Sequence, residues 1–113
     1  MEYQFTAAAI VRMGQIINLW PAPNRGTMQE LDSLAQKVEL NESDHEAINW
    51  RPSPDSRTMT FQADVLLARE LDASDVQMLS HMIEQPPERL AWTRGDRPLQ
   101  AAIFEPLGIE PWL

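Results

Sequence analysis

The sequence predicts a mainly helical α+β fold: about four to five short helices packed around an apolar N-terminal helix, with a small β-hairpin or short antiparallel sheet near residues 48–71. Three observations predict it. Apolar residues recur at helical spacing in several segments that begin with capping residues. The period changes to two between Ala47 and Val65. Turns built on Pro and Gly separate the segments, with no repeat and no linker, so residues 1–113 read as a single globular domain.

The first helix spans about Thr6 to Trp20, with Thr6 as N-cap and Pro21-Ala22-Pro23 as its stop. Arg12, Gln15 and Asn18 form a narrow polar stripe, while Ala9, Ile10, Met13, Ile16, Ile17 and Trp20 cover most of the circumference, the pattern of a central helix. After the Asn24-Arg25-Gly26 turn, Thr27-Met28-Gln29-Glu30 has the form of a capping box. Leu31, Leu34, Ala35 and Val38 then mark one buried face of a second helix, about Met28 to Glu39. A further box, Ser43-Asp44-His45-Glu46, opens a short third helix whose acids favour its dipole.

Pro52, Pro54, Asp55 and Ser56 form a turn cluster, beyond which Thr58, Thr60, Gln62 and Asp64 alternate with Met59, Phe61, Ala63 and Val65. A hairpin over roughly Ile48–Arg51 and Arg57–Ala63 follows, with Ala68–Leu71 as a third short strand; a helix through Ala63–Leu71 is the competing reading. Ser74-Asp75-Val76-Gln77 opens a helix to about Gln85, ended by Pro86-Pro87. An irregular or helical stretch, Glu88 to Thr93, leads to the Gly95-Asp96 turn, and Pro98 suits the first position of a last helix, about Leu99 to Glu105. Residues 106–113 are left as an irregular apolar C-terminal tail.

Composition excludes more than it assigns. With 43% hydrophobic and 23% charged residues the 113-residue chain is of ordinary globular type. The absence of Cys rules out disulfides, thiolate metal sites and a cysteine nucleophile. A net charge of −8 argues against direct nucleic-acid binding or an anionic membrane surface. The apolar run from Phe5 to Trp20 is interrupted and too short to span a bilayer, and no basic residue precedes it as in a secretory signal, so a cytoplasmic protein is expected.

Motifs for chemistry are weak. Gly14, Gly26, Gly95 and Gly108 are too scattered for a phosphate cradle, and no Gly-x-Ser-x-Gly elbow is present. His81 with Glu84, and Asp44-His45-Glu46, offer ligand types without a converging third element, so neither metal nor cofactor is expected. No pair among the 17 acids stands in an apolar setting that would separate two pKa values, so no catalytic residue is named and an enzyme of unknown type ranks third. Leu34, Ala35, Val38, Leu40 and Ile48 match part of a helix-turn-helix, but Glu39 and His45 break its pattern and the acids would face phosphates.

Two surface features remain. Glu39, Glu42, Asp44 and Glu46 form an acidic cluster suited to inhibiting a nucleic-acid-binding protein by mimicry, whereas Arg69-Glu70 and Glu88-Arg89 read as solvated mixed charge. Trp20, Trp50, Trp92 and Trp112 fall one per segment, at positions that either seal core edges or anchor an interface. In the tail, Glu105-Pro106-Leu107 and Glu110-Pro111-Trp112 cannot be helical throughout, so Ile109, Trp112 and Leu113 must fold back or dock on another chain.

The order of the Leu19-Trp20-Pro21 helix end, the capped Leu31/Leu34 helix, the Leu40-Asn41-Glu42-Ser43 start, the Trp50 hairpin, the Leu71-to-Ile83 segment and Phe104-Glu105-Pro106-Leu107-Gly108 resembles small uncharacterised phage and prophage proteins. The resemblance lies in layout and implies an accessory or host-interaction role. Protein interaction, with another protein or a second copy, is therefore the expected activity. Ile109, Trp112, Leu113, Trp92 and Arg94 form the expected contact surface.

Overall fold

Helix α1 (Ala7–Leu19) is the axis on which the other elements pack: the sheet lies at its start, and three further helices lie along it. The structure is a computed structural model that describes residues 1–55 and 57–113. Ala7, Ala9, Ile10, Met13, Ile16 and Ile17 are buried, as the wide apolar arc predicts. The first backbone N–H groups of α1 are satisfied: Ala7 donates to Val65 O, Ala8 to Ala63 O, and Ala9 to Thr6 Oγ1. Trp20 turns to extended backbone ahead of Pro21, and the helix stops.

Helices α2 (Arg25–Val38), α3 (Glu42–Ala47) and α4 (Ala73–Glu84) begin earlier than Thr27, Ser43 and Ser74 would place them. Their N-caps are Asn24, Asn41 and Asp72, and the latter two complete reciprocal capping boxes with Asp44 and Asp75. Asn and Asp compete well for this position, and each lies upstream of the first buried residue of its helix. The expected buried face of α2 is present in Leu31, Leu34 and Val38.

Four short strands are described. Strands β2 (Arg51–Pro52) and β3 (Met59–Thr60) make a hairpin shorter than the alternation suggests; its predicted turn includes Ser56, which lies outside the described residues. Asn49 turns the chain toward it with φ 55, a left-handed conformation that Asn adopts more readily than most residues. Residues Leu66–Glu70 form strand β4, which overturns the helical alternative for 63–71. Its partner is an unforeseen N-terminal strand, β1 (Glu2–Thr6), antiparallel with Phe5 opposite Leu67 and Tyr3 opposite Arg69. Tyr3 and Phe5 show the period of two of a strand, but the run is too short to stand out from the longer helical pattern that follows it.

The last part of the chain closes the core. Short 3-10 helices at Glu88–Leu90 and Arg94–Asp96 precede α5 (Arg97–Phe104), which begins before the predicted Leu99 and carries Pro98 in its first turn. Phe5, Ile10, Met13, Ile16, Leu34, Leu79, Ile83, Ile103 and Phe104 meet in one core. A 3-10 turn at Glu105–Leu107 ends on Gly108, whose φ of 74 favours glycine.

Candidate functional site

The C-terminal segment is anchored by one buried side chain. Gln100 lies on the inward face of α5 with Ile103 and Phe104, at the i, i+3, i+4 spacing of a core stripe, and is fully buried. Its Oε1 accepts from the backbone N–H groups of both Trp112 and Leu113 at 3.0 Å. Ahead of that clamp, Ile109 N–H donates to Phe104 O at 3.0 Å, and Ile109 packs half-buried against the core. The tail thus folds back on the domain. Trp112 nevertheless keeps 59% of its surface in solvent.

The other expected contact residues separate. Trp92 is committed to the body: its indole N–H donates to Ile83 O at 2.7 Å and its ring meets Phe104 edge-on at 5.8 Å. The Arg12 guanidinium covers the same ring at 5.4 Å and pairs with Asp96 at 3.3 Å. The backbone N–H of Thr93 holds the Asp96 carboxyl below its ordinary value; the Thr93 hydroxyl and Arg12 add to this, against the opposing effect of burial. Arg94 is exposed on its 3-10 helix, and no hydrogen bond or ion pair among the described residues joins its side chain to the tail. Of the five residues, Trp112 and Leu113 share an anchor, Ile109 precedes them, and Trp92 and Arg94 fall outside that unit.

The acidic cluster divides as well. Glu39, Glu42 and Glu46 are exposed, but Asp44 is only 8% exposed and belongs to a second buried polar site. There Arg69 of β4, also 8% exposed, uses all five of its N–H donors. Nε donates to Val38 O at 2.9 Å, Nη1 to Asp44 Oδ1 at 3.4 Å and Ala68 O at 2.8 Å, and Nη2 to Glu39 O at 3.2 Å and Asp44 Oδ2 at 2.5 Å. The guanidinium caps carbonyls at the end of α2 while gripping Asp44, the capping-box partner of Asn41 at the start of α3. Arg69 is therefore buried structure, not the solvated mixed charge expected of it.

Both missed residues carried a legible signal. Arg69 occupies an inward register between Leu67 and Leu71, and Gln100 occupies the stripe of Ile103 and Phe104. Each is a polar side chain on an otherwise apolar face, which hydropathy alone does not mark as buried.

The other two tryptophans are half-buried and pack on neighbouring rings. Trp50 stacks with His45 and Phe61 at 5.0 and 5.3 Å, and Trp20 meets His81 edge-on at 5.7 Å. A cleft of about 230 Å³ lies between α1 and α2, lined by Ile17, Trp20, Leu31, Asp32 and Glu39 among others, and more open depressions of about 390, 380 and 360 Å³ lie beside Arg89 and Leu90, beside His45 and Trp50, and beside Pro98 and Leu99. Among the described residues no three His, Cys, Asp or Glu side chains gather as a metal site. Among the described residues no helix is long and apolar enough to cross a membrane. Comparison with protein-family models, curated proteins and solved structures finds no match to this chain.

Proposed function

We propose that the protein acts by binding another protein through its C-terminal segment, with Trp112 as the anchor. The observation that carries this reading is the contrast within one residue: the Trp112 backbone is tied to Gln100 while its side chain stands 59% exposed. A large aromatic on a restrained backbone loses less freedom on binding than one on a loose tail, and Trp is enriched among residues that dominate interfaces. Leu113, its half-buried neighbour in the chain, and the half-buried Ile109 earlier in the segment add apolar surface.

The partner chemistry follows from charge. Glu105 and Glu110 are exposed in the same segment, and the chain carries −8 overall, which opposes close approach of a second copy. A protein with an apolar pocket rimmed by basic side chains fits better. The layout resemblance to phage and prophage proteins suits a host protein in this role.

The test compares baits. Proteins retained by the wild type are expected to be lost from Trp112→Ala and weakened by Glu105→Gln/Glu110→Gln, with the latter loss fading at high salt. Identical capture by wild type and Trp112→Ala would overturn the reading. A concentration-dependent dimer in sedimentation, abolished by Trp112→Ala, would transfer the surface to a second copy.

A further inference from the structure

We infer that Gln100 is the positioning residue of this recognition segment: a buried amide retained to hold the tail with Trp112 outward, not to stabilise the core. The inference rests on the reading of Trp112 as the contact residue.

The chemistry at Gln100 is one-sided. Two consecutive backbone N–H groups converge on Oε1, the concave arrangement with which successive amides embrace an oxygen. Only an acceptor satisfies both, so the amide cannot be turned over. Nε2 then points into the buried interior with no hydrogen-bond partner among the described residues. An unpaired buried donor destabilises a fold, and most buried polar groups avoid that state. Met or Leu, facing the core beside Ile103 and Phe104, would carry no such cost. What the amide adds is attachment of the tail.

The surrounding backbone fits that role. Gly108, at φ 74, redirects the chain after α5, Ile109 N–H is held by Phe104 O, and Pro111, directly before Trp112, has its own φ fixed by its ring. The segment between Ile109 and the Gln100 clamp is short, so releasing the clamp frees Trp112 and Leu113 while leaving α5 in place.

Gln100→Met is the direct test, because Met is unbranched, close to Gln in size and lacks both amide atoms. Amide hydrogen exchange is read at Trp112 and Leu113, with the α1 amides of Met13 and Ile16 as the internal control. Exchange at the two tail amides is expected to accelerate about tenfold or more, with the control unchanged and the thermal midpoint equal or higher. Unchanged tail exchange overturns the inference, and so does equal acceleration at Met13 and Ile16, which would make Gln100 an ordinary core residue.

If the core rejects Met, Leu113→Pro removes one of the two donors from the tail side. Faster exchange at Trp112 with α1 intact is then expected, and no change overturns the inference. Partner capture separates the two readings. Capture lost in Trp112→Ala, with tail exchange unaltered in Gln100→Met, removes the positioning role alone. A freed tail in Gln100→Met, with capture unaffected by Trp112→Ala, removes the contact reading instead.

Discussion

Arg69 and Gln100 are both polar side chains beneath the surface, but their surroundings treat them differently. Arg69 has every donor matched, by the Asp44 carboxylate and by carbonyls from α2 and β4. Gln100 has its acceptor doubly used and its donor group unmatched among the described residues. A saturated buried network joins elements into a unique arrangement, whereas a half-saturated one is a poor way to gain stability. The first site ties α2, α3 and β4 together. The second ties down five residues at the chain's C-terminal end.

The largest effect should come from breaking the saturated site. Arg69→Met leaves the Asp44 carboxylate buried without its partner, and a loss of about 3–5 kcal/mol in urea unfolding is expected. A loss under about 1 kcal/mol would mean that the network is dispensable and that the contrast with Gln100 is empty. Adding Asp44→Leu to Arg69→Met removes the stranded charge, so the double variant should recover at least about 2 kcal/mol of that loss. No recovery would place the effect in the uncapped α2 carbonyls or in the Asn41 N–H capping bond that Asp44→Leu also removes.

Asp96 offers a milder comparison, since its carboxyl is held by the Thr93 backbone and by Arg12. Its folded pKa lies below the ordinary 3.8, so its contribution to stability is present above that value and is lost as pH falls through the lower folded one. The drop in thermal midpoint between about pH 6 and about pH 2.5 should therefore be smaller in Asp96→Asn than in the wild type. An equal drop would show that other carboxylates carry the acid sensitivity.

Trp112→Ala should have the smallest effect on folding, within about 0.5 kcal/mol, because most of its side chain is already in water. A loss above about 2 kcal/mol would make Trp112 a structural residue and remove the distinction between the anchored backbone and the free side chain.

The helices were readable because their signals are local. The apolar arc of α1 and the Leu31, Leu34 and Val38 stripe of α2 are periodicities within one segment, and burial followed them. Helix starts were displaced because Thr27, Ser43 and Ser74 sit just downstream of Asn24, Asn41 and Asp72, and which side chain bends back to an N–H is decided by three-dimensional geometry. The pairing of β1 with β4 joins residues sixty or more positions apart, beyond what any local pattern encodes. Within the candidate site, Trp112 is legible as an apolar tail residue and the inward position of Gln100 as part of the Ile103/Phe104 stripe, but the bonds that join the two are not, because they link separate segments.

The amino-acid sequence alone determined the mainly helical α+β class, the central N-terminal helix, the position of the hairpin and an apolar tail unable to continue as helix. Those properties depend on backbone propensity and on the spacing of apolar residues, which neighbours in sequence settle among themselves. Only the tertiary structure decided which polar residues lie inside, how Trp92 and Trp112 divide between core and surface, and what holds the tail. A buried polar group is tolerated only when hydrogen-bond partners meet it, and here those partners come from distant segments: Asp44, Val38 and Glu39 for Arg69, and Trp112 and Leu113 for Gln100.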